Sequence, residues 1–200
     1  MKLHYGTNDA VKGGGVHPIA NVLYSVAISD ALMEVAATGI YAAKWSKAID
    51  DEWVRNLSKN KNRAEADFHP RRDSMHDACP DWEVPEEGWK LIEPCLSLPD
   101  INNRHVLAAA VAGHADSIVT INIKDFPSSL LDPLGITALH PDEFLLQQLQ
   151  LEPLVVLPAF KAMRARLKNP AFTPEKFVDA MERNGLIQTA AFLGQALQLI

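Results

Sequence analysis

Apolar residues recur along this chain with two different periods, and the switches between them mark out its elements. Residues 19–23 (Ile-Ala-Asn-Val-Leu) form a short apolar run with little polar relief, which predicts a buried parallel strand. Leu32, Met33, Val35 and Ala36 then recur at helical spacing, with Ser29 or Asp30 as cap and Gly39 as stop. Ser46 offers the cap of a second helix, whose apolar face is Ile49, Trp53, Val54 and Leu57. The stretch 58–85 is polar, with a helix expected over 63–78. Residues 89–92 read as a short strand, and Leu98-Pro99-Asp100 as the turn before an alanine-rich helix over 102–112 that stops at Gly113.

A β-branched run at 117–121 predicts a second buried strand, 135–138 a further short one, and Pro141-Asp142-Glu143 opens a helix through Leu149. Strand and helix therefore alternate to about residue 150. That pattern predicts an α/β domain of three layers, a parallel sheet covered by helices on both faces. Beyond Glu152 only helical patterning remains, with Thr173-Pro174 as a strong helix start and Gly185 between the last two helices. The expected organisation is a flexible extension at 1–16, which contains Gly13-Gly14-Gly15, an α/β domain at 17–150, and a helical C-terminal extension at 151–200.

Composition narrows the class without choosing a function. The chain has 200 residues, 48% hydrophobic and 22% charged, as in a globular protein able to bury a full core. Nothing approaches the roughly 18–20 uninterrupted apolar residues of a membrane span, and no basic-then-apolar leader is seen. Cys79 and Cys95 lack metal-ligand spacing and read as reduced thiols of a cytoplasmic protein. The formal charge of −6 argues against broad nucleic-acid binding, and it is uneven. Residues 151–200 hold six basic and four acidic side chains, so the excess of acid lies in the first 150.

Ligands of open parallel sheets bind at the carboxyl ends of the strands. Four places qualify: the first strand around Asn21, Glu52 on the second helix, Asn103 at the start of the alanine-rich helix, and Asn122 with Asp125 after the strand at 117–121. Asp100 reads first as a helix cap, with reach into the site as its alternative. Thr120 reads as strand-end packing and His105 as a satisfied buried histidine. Arg55, Lys59, Lys61, Arg63, Arg71 and Arg72 are interrupted by Glu65, Asp67 and Asp73 and read as a solvated polar face.

These segments, in this order, resemble the PIN-domain family. Asn21-Val22-Leu23 is similar to its first-strand motif, which normally reads Asp-Ala-Asn-Val-Leu. Residues 51–57 resemble the segment that holds its acidic helix residue, residues 98–110 its third motif and residues 118–127 its fourth. His140-Pro141-Asp142-Glu143-Phe144-Leu145 matches a subfamily of VapC-like bacterial toxins with a helical C-terminal segment. The resemblance implies a Rossmann-like fold and an endoribonuclease whose carboxylates bind Mg²⁺ or Mn²⁺. It also implies a cognate antitoxin and a homodimer. Hard dications want oxygen ligands, and clustered carboxylates offset their charge.

The chain departs from that pattern at two acidic positions. The first-strand aspartate falls on Ile19, which cannot ligate, and the third-motif aspartate on Asn103, which brings no charge. Glu52 and Asp125 are the surviving acids and the expected metal ligands, whereas Asn122 matches a variant common in the subfamily. The expected outcome is either a weakened ribonuclease or an inactive PIN-fold module that binds RNA or a protein.

Overall fold

The computed structural model describes residues 15–18 and 20–200. A parallel sheet lies at the centre, in the order β2-β1-β3-β4, formed by β1 (Gly15–Pro18), β2 (Ala42–Ala43), β3 (Ala115–Val119) and β4 (Thr137–Leu139). Between β1 and β2 run α1 (Ala20–Tyr24) and α2 (Val26–Ala36). The long crossover from β2 to β3 holds α3 (Lys47–Lys61), α4 (His69–Ala78), α5 (Glu86–Trp89) and α6 (Arg104–Ala112). A short α7 (Ser128–Leu131) precedes β4. The helices α8 (Pro141–Leu151), α9 (Pro153–Arg166), α10 (Pro174–Arg183) and α11 (Ile187–Gln195) complete the chain. None of the described helices is long and apolar enough to cross a membrane.

The α/β expectation holds, and several element assignments change. The apolar run expected to be the first strand is a helix from Ala20 onward. The strand precedes it, at Gly15–Pro18. A run of five apolar residues satisfies either buried element equally well, so periodicity could not separate them. The strand therefore begins inside the stretch expected to be a flexible extension, whose residues 1–14 lie outside the described residues. Gly15 is needed there. A Cβ on it would stand 2.8 Å from the His114 carbonyl oxygen, where β1 and β3 meet at a register shift.

Helix α2 starts at Val26 with Ser25 as its cap, which leaves Ser29 buried inside the helix rather than capping it. The expected strand at 89–92 is replaced by α5 and a turn. The helix expected over 63–78 is divided into a 3-10 turn at Glu65–Phe68 and α4, whose second residue is Pro70. Proline suits a first turn and cannot continue a helix through its own nitrogen.

Adjacent residues on a strand point to opposite faces. Val16 lies on the side of Phe144 in α8, and His17 on the side of α6. The core around these faces includes Trp45, Trp53, Phe126, Leu107 and Ile118, all fully buried. The buried carboxylate of Asp50 is satisfied locally. The Asp50 carboxylate accepts the indole N–H of Trp45 at 2.9 Å and of Trp53 at 3.0 Å, and His76 Nε2 lies 2.7 Å away. Such partners are what a buried carboxylate requires.

The C-terminal helices are joined to the sheet domain by named contacts. Asp142 of α8 accepts the backbone N–H groups of Gln188 and Thr189, both at 2.8 Å, and so caps α11. Arg166 at the end of α9 pairs with Glu34 of α2 at 2.5 Å. Cys79 and Cys95 are free thiols, the first buried and the second exposed.

Candidate active site at the switch point of the sheet

From β1 the chain crosses to β2 on one side, and from β3 it crosses to β4 on the other. The carboxyl ends of β1 and β3 thus flank a topological switch point, the place where ligands of open parallel sheets bind. Asn21, in the single turn of α1 that follows β1, spans this point. Its amide Nδ2 donates to Thr120 Oγ1 at 3.3 Å, and its Oδ1 accepts the backbone N–H of Ile121 at 3.3 Å. Thr120 is fully buried, and its N–H extends the β3–β4 ladder to the Leu139 carbonyl at 2.9 Å. Its hydroxyl also accepts the N–H of Asn122 at 3.0 Å. Asn21, Thr120 and Asn122 are therefore one hydrogen-bonded unit. Asp125, half-buried, closes the 3-10 turn just beyond, with its N–H donated to the Asn122 carbonyl at 3.1 Å.

A second group forms between α3 and the start of α6. His105 Nδ1 lies 2.7 Å from the Asn102 carbonyl, an oxygen that can only accept, so Nδ1 carries hydrogen. Nε2 then faces Glu52 Oε2 at 3.5 Å. Asn103, half-buried, stands two residues before His105. Asp100 takes the capping role: its Oδ1 accepts from the Asn102 N–H at 2.9 Å and from its side-chain amide at 3.0 Å. Among the described residues no side-chain hydrogen bond joins the Asn21–Thr120 unit to the Glu52–His105 pair.

Beneath both groups lies His17, fully buried on β1 with no hydrogen-bond partner for either ring nitrogen among the described residues. Burial, reinforced by the charge of nearby His105, pushes its imidazole down to about 3. The strand ends thus rest on a neutral imidazole at ordinary pH.

Glu52 and Asp125 bring charge, Asn21, Asn103 and Asn122 bring neutral oxygens, and Ile19 lies outside the described residues. Among the described residues no group of three or more His, Cys, Asp or Glu side chains converges to hold a metal ion. The set does not fit a cation held by protein ligands alone, because a hard dication needs carboxylate charge at octahedral distances.

Sequence reasoning found the strand-end and helix-start candidates but missed three participants. Thr120 is a hydrogen-bond hub rather than plain packing, and His105 spends one nitrogen on the candidate acid. His17 was not singled out. The only signal available was a polar residue in an otherwise apolar strand, and that strand had been placed one element too late.

A four-stranded parallel sheet with the Asn21–Thr120–Asn122 unit at its switch point defines a Rossmann-like class of protein. The comparisons narrow it. The PIN domain matches residues 20–124, more than half of the chain, and the VapC50 C-terminal domain matches residues 141–195. The chain belongs to the PIN-domain family, in its VapC-like branch with a C-terminal helical domain. It is 47% identical over 79 residues to a protein of Mycobacterium tuberculosis (strain ATCC 25618 / H37Rv) named "Putative ribonuclease VapC50". That match covers 40% of this chain and 47% of the relative, so the chain spans about half the length of the curated relative it matches. No solved structure matches the chain.

Proposed function

We propose that this chain is a VapC-like RNA endonuclease of the toxin type whose hydrolysis is weakened at two acidic positions, and that it works in the cytoplasm with RNA as substrate and an antitoxin as partner. The observation that supports this reading is the Asn21 bridge across the ends of β1 and β3, within the stretch that matches the PIN domain. Glu52 and Asp125 are the acids in this reading, with Asn103 and Asn122 as neutral oxygen donors beside them. Glu52 and Asp125 would hold Mg²⁺ or Mn²⁺ only together with substrate oxygens, and the ion would supply a more acidic water and positive charge opposite the phosphate. The chain's own contribution is to hold the strand ends through Asn21 and Thr120 and to fix Glu52 against His105.

The test is cleavage of structured RNA in Mn²⁺ by the unmodified protein and by Glu52→Gln. Slow cleavage that disappears in the variant is the expected result. Equal cleavage by both proteins would remove Glu52, and the proposed site with it.

A second reading is motivated by Ile19 and Asn103, which stand where the family carries aspartates. In it the domain binds RNA or a protein without cutting. Calorimetry with millimolar Mn²⁺ separates the two, because the binding module shows no heat of metal binding and the weakened nuclease shows a small one.

A further inference from the structure

Helix α1 has five residues, too few to hold itself by its own hydrogen bonds. Its first turn carries Asn21, whose two contacts with Thr120 and Ile121 are both 3.3 Å long. Bonds at that end of the range are lost on sub-ångström movement. Something outside α1 must therefore fix it, and its C-terminal carbonyls, which lack intrahelical donors, are the natural handle.

Arg71 of α4 takes that handle. Its Nη2 donates to the Leu23 carbonyl at 2.5 Å and to Ser29 Oγ of α2 at 2.6 Å, and its Nη1 lies 3.4 Å from the Tyr24 carbonyl. The guanidinium also stacks on the Trp53 ring of α3, 5.1 Å from its centroid. One side chain thus ties α1, α2 and α3 to α4 at the point where the chain bends at Ser25. Expected on a solvated basic face, Arg71 is instead half-buried behind it. Its neighbours there follow the expectation, Arg63 pairing with Asp67 and Arg72 with Asp73.

We infer that Arg71 is a positioning residue for the candidate site, fixing α1 so that Asn21 bridges the ends of β1 and β3. It acts through α1 and touches neither Glu52 nor Asp125. From Tyr24 back to Asn21 is less than one helical turn, so α1 tilts as a rod and passes displacement at its C-terminus to the Asn21 amide. A fork-shaped group is needed because the three acceptors lie in different directions, and lysine offers a point charge instead. The inference rests on the proposed reading of the site for its functional meaning, whereas its structural content stands apart from catalysis.

The experiment is native-state amide exchange on the full chain, with Arg71→Lys, Asn21→Ala and the double variant. The reporter amides are Ile121 and Asn122 at the site, and Gln188 and Thr189 on α11 are the reference. In Arg71→Lys the Ile121 amide is expected to exchange about fivefold to tenfold faster, the scale of one lost hydrogen bond, with the reference amides unchanged. In the Asn21→Ala background, Arg71→Lys should add nothing at Ile121. Exchange that rises equally at Ile121 and Thr189 marks a purely structural arginine and overturns the inference, as does an undiminished effect of Arg71→Lys without Asn21. Where the unmodified protein cleaves RNA, Arg71→Lys lowers kcat and leaves KM in place. Absence of cleavage in the unmodified protein sinks the nuclease reading and leaves the exchange result to decide the role of Arg71.

Discussion

Replacing Asp142 with alanine is expected to destabilise the whole chain through a helix that lies 45 residues further along. Asp142 is 4% exposed, and each of its carboxylate oxygens accepts one backbone N–H at 2.8 Å, from Gln188 and Thr189 in the first turn of α11. The hydroxyl of Thr189 also donates to the Asp142 carbonyl at 3.2 Å. Alanine strips both carboxylate bonds and leaves the buried Thr189 amide without an acceptor. Charge-assisted bonds contribute about 1.5–3 kcal/mol each and the helix dipole a further ~0.3–1 kcal/mol, so a net loss of about 3–5 kcal/mol is expected after partial relaxation. Asparagine retains one acceptor oxygen and no charge, and should cost about half as much. Urea unfolding followed by far-ultraviolet circular dichroism reads this as a lower midpoint at unchanged slope. The unmodified chain should unfold in one transition, because the cap locks α11 to α8. A loss below about 1 kcal/mol for alanine, or an asparagine variant weaker than the alanine one, would refute the reasoning.

Two further predictions concern buried titratable groups. His17 is neutral when folded and has a pKa depressed to about 3, whereas the unfolded chain takes up its proton near 6.5. The unfolded state therefore binds more protons between those values. Its contribution to stability is complete above pH 6.5 and is lost as pH falls, at up to about 1.4 kcal/mol per pH unit. Unfolding of His17→Leu measured from pH 7 to pH 4 should show a clearly flatter loss than the unmodified chain, and parallel curves would contradict the assignment. Burial pushes the Cys79 thiol up to about 11, with Met33 Sδ 3.6 Å from its sulfur, whereas Cys95 is exposed. Iodoacetamide at pH 8 should therefore label one thiol rapidly, and peptide mapping should find it at Cys95. Equal labelling of both would show that Cys79 is not packed as described.

The fold class was readable because buried strands and amphipathic helices leave different periods, and the alternation from β1 to β4 survives errors in single elements. The first strand shows the limit. Ala20, Val22 and Leu23 are buried as expected, yet they are buried on a helix, and only pairing of Gly15–Pro18 with β2 and β3 reveals where the strand lies. Asn122 and Asp125 do follow a strand, a local property, whereas Asn21, expected within the first strand, sits in α1 just after it. What binds them is not local. Thr120 accepts from a residue 99 positions away, His105 meets Glu52 across two helices, and Arg71 reaches carbonyls 47 and 48 positions earlier. Such contacts depend on how elements pack, and no period or spacing encodes them.

In the proposed reading, the residues at the switch point form a PIN-type site weakened by Ile19 and Asn103. Its most direct test is the rate of Mn²⁺-dependent RNA cleavage by the Ile19→Asp/Asn103→Asp double variant beside the unmodified protein. Two restored carboxylates should tighten the metal and raise the rate by about a decade or more, with Glu52→Gln abolishing the gain. A double variant that folds normally yet cleaves no faster, or one whose gain survives the loss of Glu52, would contradict the account.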